Sequence, residues 1–82
     1  MTREDVLERI RTHLADELEV DPGRIEAGTR LREDLAADSL DLYSLVQELD
    51  DTYGISISDE EAAQIQTVGA AIDFVLSHAA DR

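Results

Sequence analysis

The chain's 82 residues allow one small domain with a single modest core, too little to enclose a large active-site cleft. Its 20 Asp and Glu stand against 7 basic residues, all Arg, for a formal net charge of -13; such a surface repels nucleic acid and anionic lipid and draws basic protein patches by long-range steering. Without cysteine the polypeptide has no disulfide, zinc-thiolate site or thiol nucleophile, and 43% apolar residues in periodic segments argue for a folded domain over an acidic disordered one.

The opening stretch MTREDVLERI is acidic and amphipathic, not a basic patch followed by an apolar run. No later stretch approaches the roughly 18 apolar residues of a membrane span, so the expectation is a cytoplasmic protein without membrane insertion. Val6, Leu7, Ile10, Leu14 and Leu18 recur at three- and four-residue spacing, which predicts a first helix over about 3–18 with these side chains on one stripe. Thr2 followed by Asp5 resembles a capping box at its start. Asp21, Pro22 and Gly23 then break the chain.

Residues 19–37 hold isolated apolar side chains with no sustained period, and a connection this long must be pinned to remain ordered. Ile25, Leu31 and Leu35 are the expected pins. A second helix is predicted from Asp38 and Ser39 to Tyr53, with Leu42, Leu45, Val46, Leu49 and Tyr53 on its inner stripe and Gly54 as a left-handed stop. Asp38 and Asp41 repeat the cap-like spacing of the first helix. The ISIS segment, 55–58, alternates like a strand but has no partner, and reads as an extended connector burying Ile55 or Ile57. Residues 59–65 make a short helical turn. Thr67 caps a last helix whose inner face carries Val68, Ala71, Ile72, Val75, Leu76 and Ala79, with Asp73 opposite. The expected fold is all-α: a four-helix bundle of three longer helices and one short third helix, with a long loop between helices one and two.

Tests for metal and catalytic motifs are negative. An EF-hand loop centred on Gly54 would need ligands from Leu49, Asp51, Tyr53 and Glu60, two of which have no suitable side chain. His13 and His78 have no second histidine or cysteine at ligand spacing. Ser39 sits in A-D-S-L-D, with no G-x-S-x-G elbow and no neighbouring histidine. Its position leaves two roles open: an ordinary helix cap, or an exposed hydroxyl at the positive end of a helix where a phosphodiester is favoured.

The run LAADSLDLYSLVQELDDTYGISISDEEAAQIQTVGAAIDFV resembles bacterial acyl carrier proteins of the fatty-acid type, through D-S-L-D, the acidic end of helix two followed by an aromatic, Gly54, I-x-I, D-E-E-A and T-V-G-A-A-I-D-F-V. Helix one and the DPGRI loop fit the same pattern, so the likeness extends over nearly the whole chain as a single acyl carrier domain, 1–82. It implies that Ser39 receives 4'-phosphopantetheine from a magnesium-dependent phosphopantetheinyl transferase (holo-carrier synthase) using coenzyme A. The arm supplies the thiol that the chain lacks. Acyl chains then ride as thioesters and are presented to fatty acid synthase component enzymes, with no catalysis by the carrier, no resident metal and a monomeric state.

Charge agrees with such a role, because residues 1–32 hold 6 Arg and 8 acids whereas residues 33–82 hold 1 Arg and 12 acids. The resemblance assigns recognition by basic patches on partner enzymes to Asp38, Asp41, Asp50, Asp51 and Asp59, with Leu40, Tyr43 and Gln47 as a less charged contact strip. It assigns acyl-chain shelter to Leu45, Val46, Leu49, Ile57, Ile65, Ala71, Ile72 and Val75. Burying an eight-carbon chain there is worth on the order of 6 kcal/mol before opening costs. Two residues depart from the pattern. Ser44 stands where a recognition glutamate is usual, which leaves open a specialised carrier for polyketide or other acyl transfer, and Ala36 stands where a glycine commonly precedes A-D-S-L. The rival from another class is an unmodified acidic interaction module with Ser39 as a cap.

Overall fold

The computed structural model describes residues 2–79, with side chains through His78. Helix α1, Arg3–Leu18, starts where the sequence predicts: the Thr2 hydroxyl accepts the Asp5 N–H at 3.2 Å while the Asp5 carboxylate accepts the Thr2 N–H. This reciprocal box satisfies two of the amides a helix start leaves unpaired. The helix buries Val6, Ile10 and Leu14, half-buries Leu7 and Leu18, and stops at Glu19, which takes a left-handed φ of 54°. Asp21 then accepts the Gly23 N–H at 2.8 Å and caps a single 3-10 turn, Pro22–Arg24.

The long loop is pinned as expected by Ile25, Leu31 and Leu35, all buried. Backbone hydrogen bonds add a latch that side-chain periodicity does not reveal: Leu31 N–H donates to the Gln66 carbonyl, Val68 N–H to Thr29 and Gly69 N–H to Ala27, at 2.7–3.0 Å. Arg30 and Thr67 form an isolated antiparallel bridge there, and no strand is present among the described residues. A Cβ on Gly69 would stand 2.9 Å from the Ala27 oxygen, so the latch closes only around a glycine.

Helix α2, Ser39–Tyr53, buries Leu45, Val46 and Leu49, half-buries Leu42 and Tyr53, and ends on Gly54 at φ 63°. Both Ile55 and Ile57 are buried by the extended connector, where only one was expected. Helix α3, Asp59–Ala63, is shorter than the predicted 59–65: Gln64 and Ile65 donate three residues back, tightening the last turn and swinging Ile65 into the core. Helix α4, Val68–Ala79, is capped by the Thr67 hydroxyl, which accepts the Ala70 N–H at 3.0 Å. It buries Val68, Ala71, Ile72 and Val75; the Ala79 side chain, predicted on the same stripe, lies outside the described residues. Helix α1 packs against α2 and α4, and α3 lies against α2. The interior is aliphatic, with nine side chains under 2% exposed, each worth roughly 1.5–3 kcal/mol on burial.

Candidate functional site around Ser39

Ser39 is the first residue of α2, not its cap. Asp38 holds the cap position: its carboxylate accepts the Asp41 N–H at 3.0 Å, and the Asp41 carboxylate returns the bond to the Asp38 N–H at 3.1 Å. That first bond is the main reason the Asp38 carboxyl lies below the usual carboxylate range. With the capping done by its neighbour, the Ser39 side chain is exposed and makes no hydrogen bond among the described residues. The reading of Ser39 as a cap is thereby corrected, because a residue already inside the helix cannot fold its hydroxyl back onto the second or third amide as the preceding residue does.

Two adjoining cavities open beside this hydroxyl. One, about 250 Å³, is bounded by Ser39, Arg32, Leu42, Tyr43, Asp59, Ala62 and Ala63. The second, about 360 Å³, shares Arg32, Leu42 and Ala63 with it and continues to Ile65, Gln66 and Glu33. A groove therefore runs from the serine between α2 and α3 toward the loop. Of the residues expected to shelter an acyl chain, Ile65 borders this groove. Leu45, Val46, Leu49, Ile57, Ala71, Ile72 and Val75 pack together in the core. The sequence reading missed Leu42, Ala62, Ala63 and Arg32 as groove residues, since small alanines and a loop arginine carry no periodic signal.

Outward from Ser39, Leu40 and Tyr43 are the exposed large apolar side chains, at 78% and 54%. Gln47 and Asp51 are exposed on the same helix, and Asp41 is half-buried. The Tyr43 hydroxyl donates to Asp59 at 3.1 Å, which raises the tyrosine pKa and ties α3 to α2 across the groove. Two expected recognition residues are turned elsewhere. Ser44 is half-buried, its hydroxyl 3.2 Å from His13 Nε2 on α1, and the other face of that imidazole stands 3.9 Å from Glu48. Asp50 is also half-buried: one carboxylate oxygen has no hydrogen-bond partner among the described residues, and burial pushes its pKa up.

His78 Nδ1 donates to the Phe74 carbonyl at 2.7 Å and its Nε2 lies 3.3 Å from Glu61, so both histidines have structural contacts. Among the described residues no cluster of three His, Asp or Glu side chains is arranged to hold a metal ion, and no helix is long and apolar enough to cross a membrane.

The chain matches the family model for the phosphopantetheine attachment site over residues 8–75. It is 46% identical over 78 residues to the acyl carrier protein of Rubrobacter xylanophilus, covering 95% of this chain and 96% of that one. It is 40% identical to the acyl carrier protein of Lactobacillus acidophilus, covering 95% and 98%. The solved acyl carrier protein of Enterococcus faecalis superposes with a TM-score of 0.80 at 37% identity, covering 95% and 99% of the two chains. Family match, full-length relatives and shared architecture agree with the free serine at the head of α2: the chain belongs to the phosphopantetheine-attachment family, among its acyl carrier proteins.

Proposed function

We propose that Ser39 is the attachment point of 4'-phosphopantetheine and that the chain, as one carrier domain working in the cytoplasm, shuttles acyl thioesters for fatty acid synthesis without catalysing a step. The observation that carries this is the uncommitted Ser39 hydroxyl: exposed, relieved of capping by Asp38, and at the mouth of a groove floored by Leu42, Ala62, Ala63 and Ile65. The site fits the group. An attached phosphate lies beside unpaired amides at the positive end of α2, and an apolar track leads away from it. In the transfer, the serine oxygen bonds to the phosphopantetheinyl phosphorus of coenzyme A, the pyrophosphate bond breaks, adenosine 3',5'-bisphosphate leaves and the hydroxyl proton passes to the transferase. The arm supplies the thiol.

Exposed Leu40 and Tyr43, ringed by Asp38, Asp41, Gln47 and Asp51, form the proposed docking face for basic patches on the transferase and the synthase enzymes. Ser44 and Asp50 contribute little to it, since their side chains are engaged with α1 and the core edge.

Intact mass spectrometry after incubation with a phosphopantetheinyl transferase and coenzyme A tests the assignment. The wild-type chain gains one phosphopantetheinyl group and Ser39→Ala gains none. Failure of several competent transferases to add the group would instead favour the unmodified interaction module. Asp51→Asn tests the docking face more cleanly than a change at Asp41, whose carboxylate also closes the capping box. It slows association with the transferase at low salt and leaves the fold unchanged.

A further inference from the structure

Arg32 borders both cavities of the groove, the one that begins at Ser39 and the one that runs on to Ile65. Its backbone is fixed. Leu31 before it and Leu35 after it are buried at 2% and 7%, its carbonyl accepts the Ala36 N–H at 3.1 Å, and Leu31 is bonded to both Gln66 and Ala37. Its side chain is exposed and has no carboxylate within 4 Å among the described residues, in a chain with 20 acids.

That is unusual for this molecule's cations. Arg3 is paired with Asp73, Arg9 with Glu48, Arg11 with Glu8, and Arg30 with Asp34 and Glu33. Arg24 also has no carboxylate within that distance among the described residues, but it lies on the 3-10 turn and borders neither groove cavity. The groove thus has one guanidinium beside the serine, facing a rim that otherwise carries Asp59 and Glu33. Asp59 is held by Tyr43, and Glu33 lies at the edge of the Arg30 pair.

We infer that Arg32 binds the phosphodiester of the arm on Ser39 and so turns the root of the arm into the groove between α2 and α3. The inference rests on the Ser39 assignment above. A phosphodiester presents two equivalent anionic oxygens, and a guanidinium presents parallel N–H donors in a planar fork that matches them. The contact offsets the repulsion that Asp38, Asp41 and Asp59 exert on the phosphate, which the partial charge of the helix end only partly relieves. Arg32 is a positioning residue; the apolar floor beyond it receives the acyl portion.

The test uses the full chain in apo and holo forms, wild type beside Arg32→Gln and Arg24→Gln. Mass spectrometry first establishes that each carries the arm, so a failure at Ser39 is seen separately from a failure at Arg32. The wild-type Arg32 Nε–Hε resonance shifts on conversion to holo and exchanges more slowly with water, while that of Arg24 stays in place. The holo phosphorus-31 resonance of Arg32→Gln moves to the value of the urea-unfolded holo chain, and that of Arg24→Gln keeps the wild-type value. An Arg32 resonance unchanged between apo and holo, or a phosphorus resonance indifferent to Arg32→Gln, overturns the inference. If Arg32→Gln does not fold, the wild-type arginine resonance decides alone.

Discussion

At the scale of single residues, Ala36 shows how a departure in sequence becomes a cost in structure. Its φ of 57° is left-handed, a conformation in which Cβ crowds the following carbonyl by about 1–2 kcal/mol. The turn ahead of α2 demands that angle, because the Ala36 N–H must reach the Arg32 carbonyl while Ala37 is carried back to Leu31. Ala36→Gly relieves the strain and loses part of the gain to unfolded-state entropy, leaving a stabilisation of about 0.5–1 kcal/mol. A denaturation midpoint that falls in Ala36→Gly refutes this account. Gly69→Ala has the opposite sign, destabilising by roughly 1–3 kcal/mol, since the new methyl meets the Ala27 oxygen. The sequence disclosed that position 36 was odd and could not disclose why, because backbone sign is set by loop closure rather than by local composition.

Among the elements, the start of α2 separates its two polar residues by an experiment on stability alone. Asp38→Ala removes the cap and costs about 1 kcal/mol. Ser39→Ala changes stability by less than about 0.5 kcal/mol, because the hydroxyl bonds to no described residue. Urea titrations of the two apo variants check this, and equal losses would return Ser39 to a capping role. The three longer helices were legible because their apolar spacing and caps agree, as Thr2 with Asp5 and Asp38 with Asp41 do. Helix α3 was only partly so. Its five residues carry no period long enough to read, and it is fastened by contacts from distant sequence, Tyr43 to Asp59 and His78 to Glu61. The groove was least legible for the same reason, being a space between elements that the inner stripes do not mark.

For the molecule as a whole, a net charge of -13 opposes compaction. Added sodium chloride or millimolar magnesium therefore raises the thermal midpoint by screening, and a midpoint indifferent to both would contradict that. Acidification has two opposing parts. The carboxyls of Asp34, Asp38 and Glu61 are held low by hydrogen bonds, so their contribution is present at neutral pH and is lost as pH falls through their folded values. Asp50 runs the other way. Burial raises its pKa, so its ionisation costs stability above that folded value and costs nothing below the unfolded value of about 3.9. Asp50→Asn thus melts higher than wild type at pH 7, and the gap closes as pH is lowered to about 3. A gap that persists at low pH would assign the gain to packing.

The latch between residues 27–31 and 66–69 also partitions motion. It holds the entry to α4 against the loop, while Ile55 and Ile57 anchor the chain on the other side of α3. The short helix is thus suspended between two fixed points and can swing on them, widening the groove for cargo without loosening α1, α2 or α4. Hydrogen exchange reads this as a contrast in protection: the amides of Leu31, Val68 and Gly69 exchange slowly with the core, and those of Ala62 and Gln64 exchange early. The carrier's flexibility is local by construction, so loading a longer chain bends one short strut while the rest of the frame stands still.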